Sequence, residues 1–192
     1  MALTRRGLLF GVGDAHVYEA PEAAKGDGGL GYAAPRDRER AQVPGCAGSP
    51  RAFLARCVGC QLCIRECRHH VLKVSSRADH LFKPELDFRL GWCPPECSRC
   101  GAVCPAGALK PVSEEEKLKA YLGVAKWRPE NCLTAKGVTC NACLRHCPVG
   151  AIAHDEAGRP RVDEAKCIGC GACEFFCPAR PATGMQVEGA PR

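Results

Sequence analysis

Apolar positions in this chain come in short clusters, and none approaches the 18 or more consecutive apolar residues that a membrane-crossing helix needs. No membrane span is therefore expected. Two stretches carry clear local signals. The run Ser113-Glu114-Glu115-Glu116-Lys117-Leu118-Lys119-Ala120-Tyr121-Leu122-Gly123 predicts one short helix. Ser113 and Glu116 form a capping box, acids fill the first turn, Glu115 and Lys119 are spaced i,i+4, and Gly123 supplies the stop. Its Glu run reads as a solvated face. Residues 155–160 predict a hairpin turn between the short apolar stretches Ala151-Ile152 and Val162. Aromatic residues make up only 6% of the 192 residues, so a hydrophobic core of ordinary kind would be thin.

Another source of cohesion is visible in the cysteines. Sixteen of the seventeen fall into four tetrads: Cys57-Cys60-Cys63-Cys67, Cys93-Cys97-Cys100-Cys104, Cys132-Cys140-Cys143-Cys147 and Cys167-Cys170-Cys173-Cys177. Bunching of this kind argues for metal and against a dispersed disulfide scaffold. A single zinc ion takes two separated C-x2-C pairs and leaves no place for a third cysteine two residues on. The Cys93-x3-Cys97-x2-Cys100 spacing also occurs in radical S-adenosylmethionine enzymes. Here Cys104 follows it, and the chain is too short for a barrel of roughly 250 residues. The first and last tetrads have the C-x2-C-x2-C-x3-C run of bacterial ferredoxins, in which three close cysteines hold one iron–sulfur cube and the fourth reaches to its neighbour. Four [4Fe–4S] clusters are expected, with all sixteen cysteines as ligands.

Exchange of the fourth ligand between sequential tetrads gives the sets Cys57, Cys60, Cys63 with Cys104; Cys93, Cys97, Cys100 with Cys67; Cys132, Cys140, Cys143 with Cys177; and Cys167, Cys170, Cys173 with Cys147. A nested arrangement, first tetrad with fourth and second with third, remains open. Pro105, Pro148 and Pro178 follow the fourth cysteine of three tetrads, fix φ and turn the chain away, and the Ala-Leu or Ala-Ile beyond can begin a strand. Arg68 takes the proline's place in the first, where His69 and His70 read as exposed turn residues. Gly59, Gly101, Gly169 and Gly171 read as room for a cube, and Trp92, Phe175 and Phe176 as packing over one. Cys46 is left over and reads as a free thiol without a role.

The organisation that follows is a small α+β chain. A flexible tail covers residues 1–51, one two-cube module 52–111, a linker with the short helix 112–130, and a second module 131–192, as two tandem bacterial-ferredoxin-like units. The formal charge of +6 gives no argument for nucleic acid, because four cubes of about −2 each bring the loaded protein to about −2. Metal binding that cannot exist in the unfolded chain contributes directly to folding, so the metal-free chain is expected to be largely unstructured. No catalytic constellation is present in the sequence.

Several of these features resemble the NapF family, ferredoxin-type accessory proteins of the bacterial periplasmic nitrate reductase system. They are the Arg5-Arg6-Gly7-Leu8-Leu9 start with its short apolar region, Phe53-Leu54 before a first tetrad without proline, the seven-residue gap from Cys132 to Cys140, and Cys167-Ile168-Gly169-Cys170-Gly171-Ala172-Cys173. The resemblance implies a cytoplasmic, non-catalytic protein that binds a NapA-like molybdoenzyme catalytic subunit and other redox proteins, and assists that subunit's maturation before export. The three residues between Cys93 and Cys97 and the longer tail depart from that pattern. These departures leave open the NapG/MauM-type polyferredoxins, which share four such motifs; membership there implies instead an electron carrier between a quinol-oxidising membrane partner and a terminal reductase, exported to the periplasm by the twin-arginine route.

Overall fold

The third cysteine of each tetrad is the second residue of a short helix. A computed structural model describes residues 43–119 and 122–189. In it these helices are α2 (Leu62–Glu66), α3 (Arg99–Ala102), α5 (Ala142–Arg145) and α6 (Ala172–Phe175). One turn of helix is as much as the spacing permits, since the next cysteine must leave the helix to reach a neighbouring set. Entry to α2 and α6 is made through left-handed residues, Gln61 and Gly171, each two positions after a glycine that also has positive φ, Gly59 and Gly169. The first and fourth tetrads therefore share one loop, as do the second and third, whose helices start at Ser98 and Asn141 with nearly equal backbone angles.

Two further helices frame the first half. In α1 (Pro50–Arg56) proline opens the helix, the Ser49 hydroxyl accepts from the Ala52 amide at 3.2 Å, and Phe53 is buried. The helix α4 (Glu114–Lys119) carries the capping box: the Ser113 amide donates to the Glu116 carboxylate at 2.8 Å and the Glu116 amide to the Ser113 hydroxyl at 3.2 Å. Its charged run is not wholly solvated, because Lys117 is buried.

Each half has one antiparallel hairpin. In the first, β1 (Leu72–Val74) pairs with β2 (Pro84–Leu86), and Leu72 faces Leu86. In the second, β4 (Ile152–His154) pairs with β5 (Pro160–Val162) across the turn at 155–160, and Ile152 faces Val162. The Ala108-Leu109 copy forms no strand; Leu109 is buried and donates its amide to the Cys104 sulfur at 3.4 Å. A third pair joins β3 (Val124–Trp127) to β6 (Met185–Glu188), with Val124 opposite Glu188 and Trp127 opposite Met185. Thus the stretch read as a linker, 112–130, supplies a whole strand to the second half.

The core is built from Phe53, Val71, Phe88, Met185 and Val187 interleaved with cysteines. The described residues lie in one compact unit, Ala33–Arg192, without a break at the linker. Close backbone approach makes the join. Gly169 lies against Gly123, where an added Cβ would stand 2.5 Å from backbone atoms, and Gly171 lies under the Phe88 ring. The Cys93 amide donates to the Cys170 carbonyl at 2.9 Å and the Leu122 amide to the Ile168 carbonyl at 3.2 Å. These glycines, and Gly101 against Lys110, serve chain-to-chain packing where the sequence suggested room for a cube. Within residues 43–51, the end of the stretch read as a flexible tail, Pro44, Gly45 and Cys46 are buried and α1 begins at Pro50. Residues 1–42, with the Arg5-Arg6 start, lie outside the described residues.

Candidate metal centres

Short helices and tight turns converge the cysteines on separate places. In the first half, Cys57, Cys60, Cys63 and Cys104 line one pocket walled by Phe53, Pro84 and Leu109. Cys67, Cys93, Cys97 and Cys100 line another, walled by Val71, Leu72, Leu86 and Trp92. In the second half the groups are read from mutual electrostatics. Burial, with the charges of Cys140, Cys177 and Cys132, pushes Cys143 up to about 11. Burial, with Cys147 and Cys167, pushes Cys170 up to about 12. Cys173 is raised by burial and by Cys170 and Cys167. Each trio is thus joined by the fourth cysteine of the neighbouring tetrad, in the sequential and not the nested order.

The four sets also have an order in space. Cys93 of the second set acts on Cys170 of the fourth, and Cys143 of the third acts on Cys173 of the fourth. Exchange of Cys67 and Cys104 ties the first set to the second. The sequence of neighbours is first, second, fourth, third.

Four thiols crowded in an apolar cavity repel one another as thiolates, which is why Cys63 is pushed up to about 11 by burial and by Cys57, Cys60 and Cys104. Cationic iron removes that cost. Among the described residues no three His, Cys, Asp or Glu side chains stand close enough to share a single metal ion, whereas a cube spreads its ligands around a larger inorganic core. Amide donors are in place as well. The Ala151 amide reaches the Cys147 sulfur at 3.2 Å, Gly184 reaches Cys177 at 3.3 Å, and Ala125 reaches Cys167 at 3.5 Å. The residues present therefore fit [4Fe–4S] cubes.

The turn after the fourth cysteine is conserved in geometry across the internal copies. His70, Gly107 and Gly150 each have positive φ, and each donates its amide to the carbonyl of the cysteine three residues before. Histidine in the first copy thus keeps the backbone of its glycine counterparts. Trp92, Phe175 and Phe176 form a cluster with two histidines: His146 stacks on Phe176 at 4.0 Å, and Trp92 lies 6.1 Å from His69 and 6.3 Å from Phe176. At the third set, Cys132 is held below its ordinary value. Burial opposes that shift, and the nearby Trp127 indole N–H, with the Thr134 and Ala135 amides, outweighs it. The Trp127 indole nitrogen is buried, and its geometry toward that sulfur falls short of a full hydrogen bond.

Two residues at the second set have no counterpart in the sequence reading. Cys46 is buried beside the Cys100 thiol, which hydrogen-bonds it; that contact, with Lys117 and the Gly101 amide, lowers Cys46 to about 7 against the effect of burial. Lys117 donates to the Pro94 carbonyl at 2.6 Å and to the Cys97 carbonyl, and its charge lowers the Cys93 thiol against the effect of burial. The local signals that could have found them are slight: an unassigned cysteine next to Gly45, and a lysine in the helical register of Ser113.

Residues 136–180 match the 4Fe-4S dicluster domain, a window holding seven of the eight cysteines of the third and fourth tetrads. The methylamine utilization ferredoxin-type protein MauM of Methylophilus methylotrophus is 35% identical over 170 residues, covering 77% of this chain and 74% of the relative. The chain belongs to the MauM group of ferredoxin-type proteins. MauM of Methylobacillus flagellatus is 36% identical over 170 residues, covering 77% of this chain and 71% of the relative. Ferredoxin-type protein NapG of Escherichia coli is 30% identical over 154 residues, covering 72% and 66%. As a MauM-type chain, this is an iron–sulfur electron-transfer protein.

The expected membership of the NapF family does not hold, since the relatives that match over most of the chain include MauM and NapG proteins, the MauM ones at 33–37% identity. That resemblance was carried by the Arg5-Arg6 start, Phe53-Leu54, the first tetrad without its proline, the Cys132–Cys140 gap and the fourth motif, and the start tipped it toward NapF. The maturation role, which followed from that membership, loses its support with it. Among the described residues no helix is long and apolar enough to cross a membrane.

Proposed function

We propose that the chain is a polyferredoxin electron carrier with four [4Fe–4S] clusters, held by the four cysteine sets in two tandem two-cube modules. It has no catalytic role of its own. The contact order first, second, fourth, third carries this reading, because it makes one unbroken row through the protein. Bound cubes would supply reversible one-electron uptake. The chain's own residues hold them by sixteen thiolates, direct amides at Cys104, Cys147, Cys167 and Cys177, and exclude water with Phe53, Val71, Leu72 and Leu86. At one end of the row Cys60 is exposed, with Val58 and Phe82 beside it, which suits electron exchange with a protein partner.

The partners proposed are a quinol-oxidising membrane protein as donor and a terminal redox enzyme as acceptor. The MauM relatives are named for methylamine utilization, and that is the setting taken for this chain. The test uses anaerobically purified full-length holoprotein mixed with quinol and membranes from methylamine-grown cells. Visible bleaching of the clusters that recovers on adding soluble extract supports the carrier. No bleaching under these conditions, with bleaching by dithionite intact, would contradict it.

A further inference from the structure

A lysine whose charge is buried without a carboxylate is costly, since an uncompensated ion in a protein interior loses several kcal/mol of hydration. Lys117 is the one buried lysine or arginine among the described residues, with 3% of its surface exposed. No carboxylate among them pairs with it. Its ammonium is held at the Cys93–Cys97 loop by the Pro94 and Cys97 carbonyls, where its charge acts on Cys93. The space for it exists because residue 45 is glycine: an added Cβ there would stand 3.0 Å from Lys117 Cε and 3.4 Å from Cys93 Sγ.

The next residue places a second group against the same set. Cys46, also buried, packs in the same core cluster as Cys93 and Cys100, with its thiol acting on Cys100. With Cys100 bound to iron as thiolate, Cys46 is the neighbouring thiol that can donate to it. Two of the set's four ligands, Cys93 and Cys100, thereby have donor groups from outside the tetrads beside them, one carrying a full positive charge. The direct donors at the other sets are neutral amides, and at the fourth set a buried acid, Glu174, stands beside Cys173.

We propose that Lys117 and Cys46 make the second set, Cys67, Cys93, Cys97 and Cys100, the site of highest reduction potential in the row. This rests on the four-cube reading. Reduction adds one electron and no proton, taking the cube with its thiolates from about −2 to about −3. The added charge is drawn to the ammonium and the thiol donor, so the reduced form gains more than the oxidised form. An electron entering anywhere along the row comes to rest in its interior, at the joint between the halves, where Cys93 meets Cys170.

The experiment is an EPR-monitored redox titration of anaerobically purified full-length holoprotein as wild type, Lys117→Met, Cys46→Ala and Cys46→Ser, with iron counted in each. In the wild type one cube is expected to reduce above the other three. Lys117→Met should lower that midpoint by at least a tenfold change in the reduction constant, about 59 mV for one electron, and leave the other three in place. Cys46→Ala should lower the same midpoint by a smaller factor, and Cys46→Ser should restore most of it. If Lys117→Met instead costs one cube, the missing signal must be the highest one. The inference is overturned if the highest midpoint stays put, if all four move together, or if the lost signal is one of the lower three. Protein without iron would sink the four-cube reading itself, which is a separate outcome.

Discussion

Replacing Gly171 with alanine tests the join between the two halves. An alanine Cβ at this position would lie 1.9 Å from Phe88 Cδ1 and 2.3 Å from Cγ, on a ring that is fully buried, and the backbone there has φ +81°. Overpacking of a filled core costs about 1–3 kcal/mol, and a left-handed backbone for a residue with a Cβ adds about 1 kcal/mol. The sum, about 2–4 kcal/mol, corresponds to roughly 30- to 900-fold in rate if it falls on the barrier to unfolding. Because cluster loss makes unfolding irreversible, the suitable assay is the rate at which visible cluster absorbance bleaches in denaturant under anaerobic conditions. Phe88→Ala alone should also speed bleaching, since removing a buried phenyl ring costs about 3–5 kcal/mol. In the Phe88→Ala background the clash is gone, so adding Gly171→Ala should cost only the backbone part, about 1 kcal/mol. Simple additivity of the two changes, or an unaltered bleaching rate in Gly171→Ala, would refute the packing described.

Other expectations concern charge and metal. Burial raises the Asp87 carboxyl, but hydrogen bonds from Arg89 and Lys73 outweigh it and hold Asp87 well below the usual carboxylate range. A depressed folded pKa gives stability that is complete above the unfolded value of about 4 and is lost as pH falls through the folded one. Asp87→Asn should therefore cost roughly 1–3 kcal/mol, equally from pH 8 to pH 5, with the gap to wild type closing below about pH 4 in bleaching-rate measurements; a gap that widens in acid would contradict the sign. Glu174 is buried beside Cys173 and accepts the Val187 amide at 2.8 Å. Glu174→Gln should raise one midpoint by about tenfold in the reduction constant, about 59 mV, and a fall or no change would show that its charge does not reach the fourth set. Chelation of the iron should abolish most of the far-UV circular dichroism, and a native spectrum from stripped protein would mean that the polypeptide holds its fold without metal.

The parts legible in the sequence are those encoded by neighbours along the chain. The capping box at Ser113 and Glu116 and the hairpin turn at 155–160 both depend on residues within five positions of each other. Features set by distant partners were not legible. The pairing of β3 with β6 joins residues about 60 positions apart, and Val124-Ala125-Lys126-Trp127 carries no alternation that would mark it. Lys117 sits in a run of Glu and Lys whose polarity reads as solvent-facing; its burial is decided by Gly45 and Cys93, which the helix pattern does not contain. Cys46 was seen as a leftover thiol, but its place beside Cys100 was not legible for the same reason, since its spacing to the first tetrad fits no motif and only the fold brings the two together. Glycine roles were misread because a residue beside a cysteine has two sources of crowding. Here the opposing chain, Gly123 against Gly169 and Phe88 over Gly171, supplies the contact.

The central claim is that the tetrads assemble into four cube sites. Iron and acid-labile sulfide, counted per chain on anaerobically purified protein and joined to Mössbauer spectra, test it most directly. About sixteen of each, all in cubane environments, is the predicted result. About eight of each, or zinc in place of iron with the chain still well ordered, would contradict it.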